Sequence, residues 1–290
     1  MAVTLNTITT EDLSQARIRE IDFVERFNYS VSKLIEALGI TRKIPKEAGT
    51  VLKTYKATGT LEDGNVAEGE TIPLSKYIIE PVTYKEITLK KWRKATTAES
   101  IIKYGFDQAA SMTTEEMLHD VQRGIRSNFF SFMATGAAVT TGVNLKKVLA
   151  NAMGKLLCLF DTDEVQAVHF VNPTTLYDYL GDQEITTQTA FGMKYVEEFL
   201  GYGKLFMNNS VPEGKVYSTV EENLVLYYIA ANGADLGEAF SFTTDDTGYI
   251  GIHETPDYDN LTCKDTVVSG IELFAEKLDG IIVGTIGEGE

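Results

Sequence analysis

Residues 50 to 94 constrain the fold most. Two β-rich runs flank the polar segment 61–70, LEDGNVAEGE, which carries Asp63-Gly64 and Gly69. Extended, β-branched runs on either side of Gly- and Asp-containing turn residues predict a long hairpin with a flexible tip. The second run, roughly Glu70 to Lys91, would reach about 70 Å if straight at about 3.3 Å per residue. A compact chain of 290 residues is only about 50 Å across, given a radius of gyration of about 19 Å. The hairpin must therefore bend, break at Pro73 or Pro81, or project beyond its own subunit. An isolated hairpin is marginal in water, so a projecting one needs a second surface, and another copy of the chain is the nearest source. A strand pair folded back onto its own sheet is the competing reading.

Charge is spread unevenly. The chain has 26 Lys+Arg and 42 Asp+Glu, a net charge of −16, which argues against a surface devoted to neutralising phosphates. Residues 1 to 94 carry 15 basic and 13 acidic side chains, so the remainder carries 11 and 29. Lys85, Lys90, Lys91, Arg93 and Lys94 crowd one window, whereas Asp235 to the end has 13 acids and two lysines. Such polarity serves either as solvated faces of opposite sign or as complementary surfaces between copies.

The remaining periodicities describe an α+β chain. Leu13, Ile18, Ile21, Val24, Val31, Leu34, Ile35 and Leu38 recur at loosely helical spacing before Gly39, which predicts a partly helical arm. Thr96-Thr-Ala-Glu99 and Thr113-Thr-Glu-Glu116 read as capping boxes of two helices. The second helix has an apolar stripe, Leu118, Val121, Ile125, Phe129 and Phe132, that ends near Gly136. Arg123 and Arg126 lie off the stripe and read as solvated. Further on, Leu145, Val148, Leu149, Ala152 and Leu156 form a helical face. VQAVHFV (165–171) is a short buried strand, and Asn172-Pro173 starts a helix as cap and first residue. KLFM (204–207), VYSTV and LVLYYIA supply further strands. A turn at Asp279-Gly280 is expected between Ile271-Glu-Leu-Phe-Ala and Ile281-Ile-Val.

The search for chemistry is nearly empty. Cys158 and Cys263 form no CxxC pair and read as buried small hydrophobes. His119, His169 and His253 show no metal spacing and read as structural. There is no GxxxxGK[ST], GxGxxG or GxSxG. Asp161-Thr-Asp163-Glu164 and Asp257-Tyr-Asp259-Asn260 offer oxygens to a cation but lack the glycine and distal glutamate of an EF-hand. The start MAVTLNTITTEDL lacks the features of a signal peptide, and no apolar run approaches a membrane span. A non-enzymatic cytosolic protein without cofactor, metal or membrane is the expectation. A carboxylate-using α+β enzyme is the contrasting class, recognisable as a monodisperse monomer whose melting responds to a small molecule.

A resemblance sharpens this. Glu68-Gly-Glu-Thr-Ile-Pro-Leu-Ser75 after the hairpin, the amphipathic helix at 114–135, Asn208-Asn-Ser-Val-Pro-Glu-Gly-Lys215, Gly248-Tyr-Ile-Gly-Ile-His and Gly270-Ile-Glu-Leu-Phe-Ala-Glu-Lys-Leu-Asp-Gly280 occur in an order that resembles the major capsid proteins of tailed bacteriophages. The resemblance implies the Hong Kong 97 fold: an N-terminal arm (1–49), an extended loop (50–95), a peripheral domain with a long spine helix (96–140 and 245–290) and an axial domain (141–244). It implies hexamers and pentamers closing an icosahedral shell around double-stranded DNA, without sequence-specific binding, in a virion assembled in the host cytoplasm. A portal and a separate scaffolding protein are implied partners, since only 49 residues precede the hairpin. An encapsulin-like compartment housing cargo enzyme is the alternative.

By the same resemblance, interface residues are expected at Asp63, Gly64 and Gly69, which let the tip flex, and at Lys85, Lys90, Lys91, Arg93 and Lys94, which meet acidic surface on a neighbour. Lys53, Lys56 and Lys76 with Asn260 are available for the crosslink some relatives form, although no motif supports it; intact monomer bands after boiling in denaturant would count against it.

Overall fold

The computed structural model describes residues 10–67, 69–160, 165–181 and 183–287. Its first element, α1 (Thr10–Leu38), is one continuous helix of 29 residues, longer and more regular than the partly helical arm expected. Phe23, Val24, Phe27, Val31, Leu34, Ile35 and Leu38 are buried along it, a stripe at three- and four-residue spacing. Ile21, expected on that stripe, is exposed, and the side chains of Leu13 and Ile18 lie outside the described residues. Gly39 ends the helix in the left-handed region at φ +67°. Its N–H donates to Glu36 O while that of Ile40 donates to Ile35 O, the paired bonds of a Schellman stop. Glycine suits that backbone angle, and a Cβ there would sit 1.9 Å from the Glu221 carboxylate and force that side chain to move.

Four sheets follow. β1 (Arg42–Pro45) runs parallel to β11 (Leu224–Tyr228), which pairs antiparallel with β14 (Glu272–Ala275). β2 (Val51–Thr60) and β3 (Lys76–Glu86) form a two-stranded ribbon. β4 (Lys90–Thr97), β13 (Thr262–Ser269) and β12 (Ile250–Asp257) form a three-stranded sheet. The largest sheet has seven strands in the order β5 (Ala138–Gly142), β15 (Ile282–Ile286), β10 (Lys215–Val220), β6 (Ala167–Val171), β9 (Lys204–Met207), β8 (Met193–Val196), β7 (Gln188–Ala190). The turn at Asp279-Gly280 is present, but its flanking strands do not form a hairpin: β14 and β15 enter different sheets.

Six helices complete the described chain: α1, α2 (Ala98–Tyr104), α3 (Phe106–Met133), α4 (Leu145–Phe160), α5 (Pro173–Leu180) and α6 (Ala234–Ala239). All five stripe residues of α3 are buried. Phe129 and Phe130 meet Phe170 of β6 edge-on, at centroid distances of 5.4 and 5.2 Å, and Phe132 stacks on Phe274 of β14 at 4.5 Å. α3 thus ties two sheets together. The face expected for α4 is the one buried.

Neither capping box sits where the sequence placed it. Thr97, not Thr96, caps α2, accepting from Ser100 N at 3.3 Å. Thr113 caps nothing, because α3 already begins at Phe106 after Gly105, whose φ of 84° turns the chain out of α2. The Thr113 and Thr114 hydroxyls instead donate back to Ala110 O, at 3.0 and 2.8 Å, and accept from Lys94.

The Asn172-Pro173 start is realised. Asn172 Oδ1 accepts from Thr174 N at 3.0 Å while its Nδ2 donates to Val211 O at 2.7 Å, so one side chain caps α5 and fixes the loop after β9. Asn172→Ala is expected to lower stability by about 1–2 kcal/mol in denaturant melts, one cap and one net hydrogen bond. Asn172→Asp, which keeps the cap and loses the donor, should recover part of it.

The cysteines depart from the sequence reading. Cys158 is exposed on α4 and Cys263 is half-buried on β13, because each falls on the outward side of an element whose apolar face is already filled. Burial and the Glu254 carboxylate, 2.8 Å away, push the Cys263 thiol up to about 12.

Candidate assembly interface

Among the described residues, the β2–β3 ribbon buries apolar side chains at its root. Leu52 and Ile87 are buried in the main core, and β2 lies against the short turn Leu278–Gly280. A cleft of about 720 Å³ opens there, bordered by Lys46, Leu52, Tyr227 and Glu276. From Gly59 to Ile78, every described residue but Val66 is exposed. Leu74 is 94% exposed and Leu61 76%, with Ile72, Tyr77 and Ile78 beside them in the same state. Five large apolar side chains on one projection are a patch that water disfavours, and such patches mark interaction surfaces.

The long second strand of the sequence reading is two strands. Pro81 stays inside β3, opposite Tyr55, where the register slips by one residue; a bulge is one of the few sheet positions that accept proline. The break falls at 87–89 instead, where Ile87 turns into the core and the chain leaves the ribbon for β4. Pro73 lies in the irregular segment between the strands. At roughly 3.3 Å per residue, the 11 residues of β3 extend about 36 Å.

The tip is built from local turns. Asp63 Oδ1 accepts from Asn65 N at 2.9 Å, a side-chain-mimicked turn. Gly69 has φ +90°, and a Cβ at Gly64 or Gly69 would meet nothing within 4 Å. Gly69 is required for its backbone angle, whereas Gly64 is not crowded at all.

Strand alternation divides the basic window. On β4, Lys90 and Lys94 fall on the inward face and Lys91 and Arg93 on the outward one, as a period of two dictates. Lys94 reaches Asp265 at 2.9 Å and both Thr113 and Thr114 hydroxyls at 2.7 Å. Lys85 bonds Glu272, and Lys90 approaches the same carboxylate at 3.7 Å. Glu272 and Asp265 are buried, so these three lysines neutralise acids of their own chain. Lys91 and Arg93 remain exposed. Lys53 and Lys76 are exposed on the ribbon, while Asn260 lies in the β12–β13 turn, accepting from Thr262; the side chain of Lys56 lies outside the described residues.

Several groups the sequence offered for catalytic or metal chemistry are engaged within the chain. His169 is fully buried between Ser218 and Tyr202. Asp161-Thr-Asp163-Glu164 lies outside the described residues, and Asp257 is engaged by Lys264. Glu254, Cys263 and Asp265 cluster closely enough to surround an ion, but Arg19 bonds Glu254 and Lys94 bonds Asp265, so protein cations already occupy the position.

No family model matches the chain, and no curated protein does. Solved structures do. The capsid of cyanophage A-1(L) aligns with a TM-score of 0.58 at 12% identity, covering 88% of this chain and 93% of that one. The capsid of a native GTA particle aligns at 0.57 and 10% identity, over 86% and 89%. The fold is the Hong Kong 97 capsid fold. It also serves the SrpI encapsulin of Synechococcus elongatus, similar at a TM-score of 0.53 and 11% identity over 84% of each chain. Among the described residues no helix is long and apolar enough to cross a membrane.

The sequence signalled the ribbon through its length and the outward pair Lys91 and Arg93 through composition. It did not signal the apolar set Leu61, Ile72, Leu74, Tyr77 and Ile78, whose exposure follows only from the absence of any covering element. A hydrophobic count over 61–78 set against the predicted turn would have shown it.

Proposed function

We propose that this chain is the major capsid protein of a tailed bacteriophage, assembling as hexamers and pentamers into an icosahedral shell around double-stranded DNA. One observation carries the reading. In a fold used by capsid shells, the chain projects an apolar-studded ribbon whose buried side chains, among the described residues, lie at its root. Stability of the shell then comes from many modest contacts acting together, and the role is structural rather than catalytic. Arm, extended loop, peripheral and axial regions are assigned to 1–49, 50–95, 96–140 with 245–290, and 141–244, with a separate scaffolding protein and a portal as partners and the virion as location. Electron microscopy of the purified protein should show closed shells. A monodisperse monomer at all concentrations would sink the proposal.

The likeness to an encapsulin favours a second reading, a compartment filled with cargo protein. Nuclease-protected DNA inside particles from infected cells supports the virus; an enzyme co-purifying at fixed stoichiometry supports the compartment.

Asp63, Gly64 and Gly69 are assigned to tip flexure, and Lys91 and Arg93 to contact with acidic surface on a neighbouring copy. Lys85, Lys90 and Lys94 support that face from inside. Reversing Lys91 and Arg93 to Glu should lower particle yield several-fold without changing the melting temperature, since neither has an acidic partner among the described residues. An unchanged yield, measured by sedimentation, removes the assignment. Including Lys94 would confound the test by stripping Asp265 of its cation.

A further inference from the structure

The face of α3 away from its buried stripe borders a cavity of about 450 Å³ shared with the β7–β8 turn, the start of α5 and the loop after β9. Three cations line it: Arg123, Arg126 and Lys194. No carboxylate does, in a chain with 42 Asp+Glu. Arg123 shares Asp120 at 2.7 Å on the open surface. Arg126 and Lys194 have no acidic partner among the described residues.

Arg126 is not the solvated residue its position off the stripe implied. It is half-buried, donates from Nη1 to Phe191 O, and its guanidinium lies 5.8 Å from the Phe191 ring centroid. The turn that holds it is unusual. Phe191 and Gly192 have φ of 49° and 71°, both left-handed, as a two-residue hairpin turn demands. A buried phenylalanine in that region is strained. A Cβ on Gly192 would lie 2.6 Å from Arg126 Nη1, so glycine is what leaves the guanidinium its place. One donor is thereby fixed, and the other N–H groups have no protein acceptor among the described residues. Burial, with Arg123 nearby, also pulls the Arg126 pKa below its ordinary value, the mark of a cation lacking its counter-charge.

Such a cradle suits a tetrahedral oxyanion: two guanidinium groups and an ammonium line one cavity, and only Arg123 is shared with an acid, Asp120. Ser210 and Asn209 add neutral donors on the rim, and Pro173, first residue of α5, brings the positive end of that helix. Tyr177, half-exposed beside them, offers a ring to a base. We propose that this cavity is a binding site for a phosphate oxyanion, free or carried on a nucleic-acid strand. The proposal does not depend on the shell reading, since the site is complete within one chain.

The test titrates the full-length protein with inorganic phosphate at constant ionic strength, then with a short DNA duplex. Saturable phosphate binding is expected, weakened roughly ten-fold by Arg126→Met and by Lys194→Gln and unchanged by Lys146→Gln, an exposed lysine on α4. Lys194 is itself exposed on β8, so its substitution leaves the fold intact even if Arg126→Met does not. Duplex binding displaced by phosphate assigns the site to phosphodiesters, and phosphate binding without duplex binding assigns it to the free ion. No saturable phosphate binding, duplex binding that phosphate fails to displace, or binding indifferent to Lys194→Gln overturns the proposal.

Discussion

Deleting residues 62–69 is expected to yield a folded protein that forms no closed shells. Every described residue of the excised segment but Val66 is exposed, and its hydrogen bonds are local, among them Asn65 N to Asp63 and Glu62 N to Ser75 Oγ. Among the described residues, the buried ones of the ribbon, Leu52 and Ile87, are far along both strands and are left in place by the deletion. Roughly halving a surface loop changes its closure entropy by about 0.6 kcal/mol, and circular dichroism and melting should stay close to the parent. Assembly is another matter. The tip carries the Gly69 turn and sits between Leu61 and the Ile72–Leu74 pair, and shortening it moves these apolar groups relative to whatever covers them. Micrographs should show small oligomers in place of shells. Normal particles from the deletion would mean the tip is dispensable and that the ribbon's reach plays no part in closure. Replacing Ile72 and Leu74 with Ser, with the tip left intact, separates length from apolar contact: loss of shells there too assigns the effect to buried area.

What the sequence revealed follows the range over which each interaction acts. The α4 face, the β6 strand and the Asn172 cap rest on residues within a few positions of one another, and each was readable. The stripe of α3 was readable for the same reason, while its start was not. Thr113 followed by Glu116 has the form of a cap, yet Gly105 had already turned the chain and Lys94, from another strand, engaged the threonine hydroxyls. The basic window shows the limit most clearly. Five cations in ten residues looked like one surface, but alternation on β4 and two buried acids, Asp265 and Glu272, divided them. Those acids are 171 and 187 positions away from the lysines they meet, in Lys94 to Asp265 and Lys85 to Glu272, and no local pattern encodes that. Parallel pairing of β1 with β11, and the cavity joining Arg126 to Lys194 across α3 and β8, are likewise products of topology alone.

His169 gives the second large effect, a loss of stability in mild acid. Its ring is fully buried on β6. Tyr202 O, 2.9 Å from Nε2, can only accept, so Nε2 carries the proton; Nδ1 therefore accepts from the Ser218 hydroxyl at 2.7 Å. The neutral ring is satisfied on both sides. Protonating Nδ1 would place a charge in the core facing a hydroxyl that must reverse its role. Burial accordingly lowers the pKa from 6.5 to about 4, with the Tyr202 bond opposing weakly. Between those values the unfolded chain binds a proton that the folded one refuses, so stability is complete above pH 6.5 and falls as pH drops towards 4. At about 1.4 kcal/mol per unit the loss reaches roughly 3 kcal/mol, and below pH 4 this residue contributes no further slope. Carboxylates titrate in the lower part of the same window, so the measurement is a difference. Denaturant melts of the parent and of His169→Gln, taken from pH 7.5 down to 4, should converge by roughly 3 kcal/mol because the variant has no ring to protonate. Curves that stay parallel over that range would mean the imidazole takes up its proton without unfolding the chain, and that the core around Ser218 is more accommodating than its packing implies.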